Sequence, residues 1–300
     1  MNYDKARKFV YQNARPLDYA RWQYLFENGS RENVLNLLAM YQNEDGGFGH
    51  ALEAGCWNPS SSPVQTWAAT QVIQEVGLEE KAHPIVLGIL RYLENTKDFD
   101  GRTWRNSIPS NEEYPHAPWW DYVVTRQANY NPTASLIGFI LLCADPKSNL
   151  YHTAQGLLHE AYDWFKAHCP LDSMHTTSCF VELFEDLSEC NMPEIDLSEF
   201  EHLLQAQIKH VLTDNPDTWA TEYVCKPSLL IHSRSSRFYE ETKELCSIEC
   251  RFLSETQQAD GTWVVTWDWG CYPEQWHVCK NWWKSNLIIN NLKFYRSMCI

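Results

Sequence analysis

The chain has 300 residues with 39 acidic against 24 basic side chains, and its net charge of −15 sets a repulsive field against nucleic acid or any other polyanion. Apolar residues at 44% and only 12 glycines and 14 prolines exclude a collagenous or low-complexity chain, and the length suits one large or two ordinary domains. The unusual feature is aromatic: 14 Trp, 15 Tyr and 12 Phe.

Helical periodicity recurs along the chain and strand-like alternation is almost absent, so the expected class is all-α. Short helices are predicted near 3–12 and 17–28. Ser30 caps a helix carrying Val34, Leu37, Leu38 and Tyr41, and Ser62-Pro63 opens one carrying Val64, Trp67, Ala68, Val72 and Val76. Pro84 starts a helix through Leu93, and Asn131-Pro132 one running from Leu136 to Cys143. Later helices are predicted at 149–168, 172–188, 198–213, 227–234, 236–257 and 277–297, with a capping box at Ser198 and Glu201, which makes twelve. Four long connections stand out, at 43–61, 97–130, 214–226 and 258–276. Connections of that length in a compact domain usually serve function. Nine of the 14 Trp fall in them, so an array of hairpins with its long loops at one end would be densely aromatic there.

The eleven cysteines are odd in number and irregularly spaced, which predicts reduced thiols in a cytoplasmic protein. The N-terminus reads neither as a signal peptide nor as a membrane anchor, despite Lys5, Arg7 and Lys8, and no run has transmembrane length.

An internal repeat underlies the pattern. Leu38-x3-Gln42-x3-Gly46-x-Phe48 matches Leu253-x3-Gln257-x3-Gly261-x-Trp263, and Asp100-Gly101-Arg102-Thr103-Trp104 is a looser copy. In each, Asp-Gly turns the chain through a conformation open to glycine and returns an aromatic ring to its neighbour. These residues resemble the Gln–Trp repeat of squalene and oxidosqualene cyclases and of protein prenyltransferase β subunits. The resemblance implies a single closed α/α toroid over residues 1–300, about six helical hairpins of roughly 50 residues each, around an aromatic cavity that holds a small apolar isoprenoid, with no integral membrane segment. No cofactor is expected.

The chemistry of such proteins is tested residue by residue. The cyclase Asp-x-Asp-Asp acid motif is absent, and Asp98-Phe99-Asp100-Gly101 is its nearest string. Glu185-Asp186-Leu187-Ser188-Glu189 mimics a diphosphate–Mg²⁺ cluster but reads as a solvated charge run at a helix end. The prenyltransferase zinc pattern finds Asp268, Cys271, His277 and Cys279 in altered spacing, with Trp283-Lys284-Ser285 where its histidine belongs, so no metal site is assigned. The expected catalytic groups are Glu53, Asp121, His116 and Asp45, the first three in two loops where titratable groups stand among indoles that would desolvate a carboxyl and raise its pKa. Trp57, Trp67, Trp119, Trp120, Trp267, Trp269 and Trp276 are the expected substrate-binding rings, Trp164 is expected in the core, and Lys284 and Arg126 are candidate anchors for an anionic head group. A carbohydrate-active toroid stands as the alternative, with carboxylate pairs drawn from Asp45, Glu53, Asp121, Glu222, Asp268 and Glu274. A third reading is a binding protein of the same fold without catalysis.

Overall fold

The computed structural model describes residues 1–78, 80–123, 129–190, 192 and 194–299. The described residues form thirteen α-helices and no β-strand, so the chain is all-helical. The helices are α1 Tyr3–Asn13, α2 Pro16–Phe26, α3 Arg31–Ala39, α4 Pro63–Glu75, α5 Pro84–Asn95, α6 Thr133–Cys143, α7 Asn149–His168, α8 Met174–Glu189, α9 Leu197–Val211, α10 Pro216–Thr221, α11 Pro227–Leu230, α12 Tyr239–Thr256 and α13 Pro273–Cys299. The one beyond the twelve expected is α10, inside a segment read as loop. Its start signal is present: Asn215 caps through its side chain and Pro216 takes the first turn.

Local chemistry explains most starts. Asn2, Ser62, His83, Ser148 and Ser173 each accept a backbone N–H at the first turn of α1, α4, α5, α7 and α8. At α9 the expected Ser198 cap is corrected. Asp196 Oδ1 takes the N–H groups of Ser198 and Glu199 instead, so the helix opens one residue earlier.

The chain divides into two compact units, Met1–Leu37 with Val211–Ile300, and Leu38–His210. In the first, both chain ends pack together, with α13 against α1, α2 and α12. A buried ion triad braces this unit: Asp18 accepts from Arg15 at 2.7 Å and Arg21 at 3.3 Å, and Arg21 continues to Asn286. Cys250 and Cys299 form a disulfide across α12 and α13, which corrects the expectation of eleven thiols. Nine cysteines remain thiols. Thiol titration of denatured, unreduced protein should therefore count nine, rising to eleven after reduction; eleven without reductant would contradict the bridge.

The second unit is built on α6, buried along nearly its whole length between α7 and α8. Phe165, Phe180, Phe184 and Phe200 fill the space beside it with ring centroids 4.5–6.5 Å apart. Trp164 is half-buried and stacks on His168 at 4.6 Å. No helix among the described residues is long and apolar enough to cross a membrane.

The repeat is realised as one turn in three copies. Gly46, Gly101 and Gly261 take φ of +93°, +94° and +91°, and the preceding aspartates each accept the N–H groups just past the glycine. Gln42 and Gln257 reach across to the glycine carbonyl at 2.9 and 3.1 Å. Each also ties its turn to another helix start, Gln42 to the Ile85 carbonyl of α5 and Gln257 to the Asn2 backbone before α1. The ring closes the motif: Trp104 and Trp263 donate to Leu93 and Leu253 carbonyls at 3.1 Å, and Phe48 is wholly buried. The looser copy carries Lys97 where the others have Gln, and one extra residue before its Trp.

Candidate functional site

Both aromatic loops singled out from sequence lie in the second unit, and they pair. Cys56 and His116 form an antiparallel bridge, Trp57 N–H donates to Pro115 O at 3.0 Å, and Ala117 N–H to Gly55 O at 2.8 Å. Two short 3-10 turns, Pro109–Glu113 and Pro118–Trp120, shape the second loop inside a stretch read as irregular. Proline opens each turn and fixes its backbone φ in advance. Beneath them Asn111, fully buried, accepts from Asn58 Nδ2 at 3.0 Å and Cys56 Sγ at 3.4 Å while donating to Trp120 O at 3.0 Å. Burial pushes the Cys56 thiol up to about 12, which leaves it a neutral donor rather than a nucleophile.

This framework brings Glu53, Trp57, Glu112, His116, Trp119, Trp120 and Asp121 into one loop pair. Gly55 lets these groups approach closely, since the Glu53 Oε2 and Trp120 Nε1 atoms lie 3.0 and 3.1 Å from where a Cβ on it would stand. Trp119 is exposed, and Trp57 and Trp120 are half-exposed. The Trp120 indole N–H is buried and meets no acceptor among the described residues. His116 is buried, with Nδ1 2.6 Å from Tyr114 O and Nε2 3.0 Å from Asp121 Oδ1. Glu112 Oε1 accepts the Tyr122 N–H at 2.7 Å.

One expectation is corrected here. Asp121 is not enclosed by the indoles, since its side chain is 52% exposed. Asp45 sits in its repeat turn, where Oδ1 accepts from Gly47 N–H and Ser61 Oγ. Arg126 lies outside the described residues.

The remaining predicted residues fall elsewhere. Trp269 and Trp276 are buried against each other at 5.7 Å, and Trp267 meets Tyr223 and Trp283 edge-on at 5.0 and 5.4 Å, all in the first unit. Lys284 lines a shallow cleft of about 460 Å³ there with Lys280, Asp260 and Trp263. Asp268 Oδ1 accepts the Gly270 N–H in a turn, and among the described residues Asp268, Cys271, His277 and Cys279 do not converge as metal ligands. Asp98 is buried 3.8 Å from Arg105, and burial raises its pKa. For Asp100 burial acts the same way but the Thr103 and Arg102 N–H groups outweigh it and hold the carboxyl low.

The largest correction concerns α8. The charge run at its end is solvated only in part: Ser188 and Glu189 are exposed, but Glu185 is half-buried and Asp186, with Glu182 one turn earlier, is buried against α4 and α6. Glu182 accepts from Trp67 Nε1 at 3.1 Å, Gln71 Nε2 at 3.0 Å, Ser178 Oγ at 3.3 Å and the Ser135 hydroxyl. Asp186 Oδ1 takes Gln74 Nε2 at 3.2 Å, while Oδ2 is packed on α6 at Gly138 with no partner among the described residues. Burial raises the pKa of both, and Glu185 between them is raised to about 7 by burial and then by Glu182 and Glu189. Trp67 thus serves this carboxyl cluster, where the sequence suggested only a ring facing a cavity. The available signal was the i, i+4 spacing of Glu182 and Asp186 on a helix whose other buried positions are mostly apolar.

Comparisons with known protein families, with curated proteins and with solved structures return no match to this chain.

Proposed function

We propose that the protein is a terpenoid-cyclase-like, isoprenoid-handling enzyme whose ligand meets the paired loops of the second unit. The observation that carries the reading is the pairing of residues 55–57 with 115–117, which sets three accessible indoles beside Glu53, His116 and Asp121. Indole faces attract a cation or a developing carbocation, and a carboxylic acid beside them supplies a proton. The threefold Asp-Gly-aromatic turn supports the same reading through the resemblance of its residues to the cyclase and prenyltransferase repeat. A cytoplasmic location belongs to the proposal, supported by the nine thiols.

One observation favours a carbohydrate as the alternative occupant. Glu112 and Asp121 present carboxylate oxygens within 4.8 Å of each other beside the exposed Trp119, and indoles stack on sugar faces as carboxylate pairs cleave glycosidic bonds.

Tryptophan emission distinguishes the two. Titration with farnesyl diphosphate, geranylgeranyl diphosphate and squalene should change the signal saturably, and Trp57→Phe with Trp120→Phe should remove most of that change. Saturation by an oligosaccharide alone would transfer the site to the second reading, and a flat response across the panel would refute both.

A further inference from the structure

We propose that Glu112, His116 and Asp121 form a site for a first-row divalent metal ion such as Mn²⁺ or Zn²⁺. Each offers one ligand atom, and the three atoms lie within 4.8 Å of one another. The site is independent of what occupies the indoles, and it stands or falls separately from the proposed substrate.

The hydrogen bonds of His116 carry the argument. The Tyr114 carbonyl can only accept, so the contact at 2.6 Å makes Nδ1 the N–H of the ring. Nε2 then faces Asp121 Oδ1 at 3.0 Å with a lone pair opposite a carboxylate oxygen, unless a cation stands there. A proton on Nε2 would answer for that one contact. It would leave the second carboxylate, Glu112, in the same corner with the Tyr122 N–H as its donor and no cation beside it among the described residues. A divalent ion uses all three groups at once. An imidazole whose far N–H is given to a backbone carbonyl is also the arrangement metal-binding histidines adopt, because it fixes the ring and the tautomer.

The ligands are held in advance by the chain. The Tyr122 N–H pins Glu112, the bridge to Cys56 holds His116, and Asp121 follows the second 3-10 turn, which Asn111 anchors through Trp120 O. Glu112 and Asp121 are exposed while His116 is buried, which keeps coordination positions open to water or to a substrate oxygen. One imidazole with two carboxylates is a donor set that Mn²⁺ and Zn²⁺ accept, and Ca²⁺, which prefers oxygen alone, does not favour. Sequence spacing missed the site because Glu-x3-His-x4-Asp lies across two proline-opened turns and follows no helical or paired-cysteine spacing.

The test is Mn²⁺ titration of chelator-treated, dialysed full-length protein, read by loss of the free-ion electron paramagnetic resonance signal and repeated with Zn²⁺ as competitor. One saturable site per chain is expected. Glu112→Gln and Asp121→Asn, both isosteric and at exposed positions, should each weaken it at least ~10-fold with unchanged melting temperature, whereas Glu113→Gln should leave it intact. Native protein with no saturable Mn²⁺ or Zn²⁺ site, or equal binding in the Glu112→Gln/Asp121→Asn double variant, would overturn the assignment.

Discussion

Gly46→Ala should destabilise the second unit by about 2–5 kcal/mol, the combined cost of a left-handed backbone for a residue with a side chain and of overpacking a close contact. Gly46 sits at φ +93°, and a Cβ there would overlap the Gly88 carbonyl of α5, against which the turn is seated. Gly88 is part of the same fit, since a Cβ on it would strike Gln42 Nε2, the group that ties this turn to α5. Gly101→Ala is the internal comparison. Its φ is +94°, but a Cβ there meets nothing within 4 Å, so only the backbone cost of about 1–2 kcal/mol applies. Urea denaturation of the two variants separates the terms. Equal losses would mean that the first turn is not seated on α5.

The buried carboxyls of α8 should make stability fall as pH rises. Glu185 has its pKa raised from 4.5 to about 7, so the folded state holds the proton more tightly than the unfolded chain does. Its contribution is neutral below the unfolded value, becomes unfavourable as pH climbs between about 4.5 and 7, and is constant beyond that. The shift corresponds to about 3 kcal/mol. Asp186, raised well above 3.8 by burial and then by Glu182, Glu185 and Glu189, acts with the same sign. Glu185→Gln should therefore stabilise the protein above pH 7 by about 3 kcal/mol and flatten the profile between pH 4.5 and 7. Denaturant midpoints from pH 4.5 to 8 check this. A variant that loses stability at pH 8 would show that the ionised carboxylate is a favourable partner in the fold.

The contrast between these regions explains what the sequence could reveal. Helix starts are local, and Ser62-Pro63 or Ser148 declares itself by residue type alone. The repeat was equally legible, because Asp-Gly with an aromatic ring two or three residues on encodes one turn, and the three glycines converge on the same φ. Burial of Glu182 and Asp186 was not, since their surroundings come from Gly138, Ser135 and Trp67 on other helices. The Cys250–Cys299 bridge was hidden for a similar reason: 49 residues separate the partners, and only the packing of α12 on α13 joins them. For the candidate site, the two aromatic loops were visible as unusual strings. Their pairing, the 3-10 turns and the enlistment of Glu112 depend on tertiary hydrogen bonds through Asn111 and Tyr122.

The most direct test of the central claim, that the paired loops of the second unit are where this protein meets its ligand, is photo-crosslinking with a benzophenone-bearing farnesyl diphosphate analogue followed by peptide mapping. The account predicts adducts concentrated in residues 50–58 and 114–121, competed away by unlabelled farnesyl diphosphate. Competed adducts confined to residues 263–283, or labelling that competitor does not reduce, would contradict it.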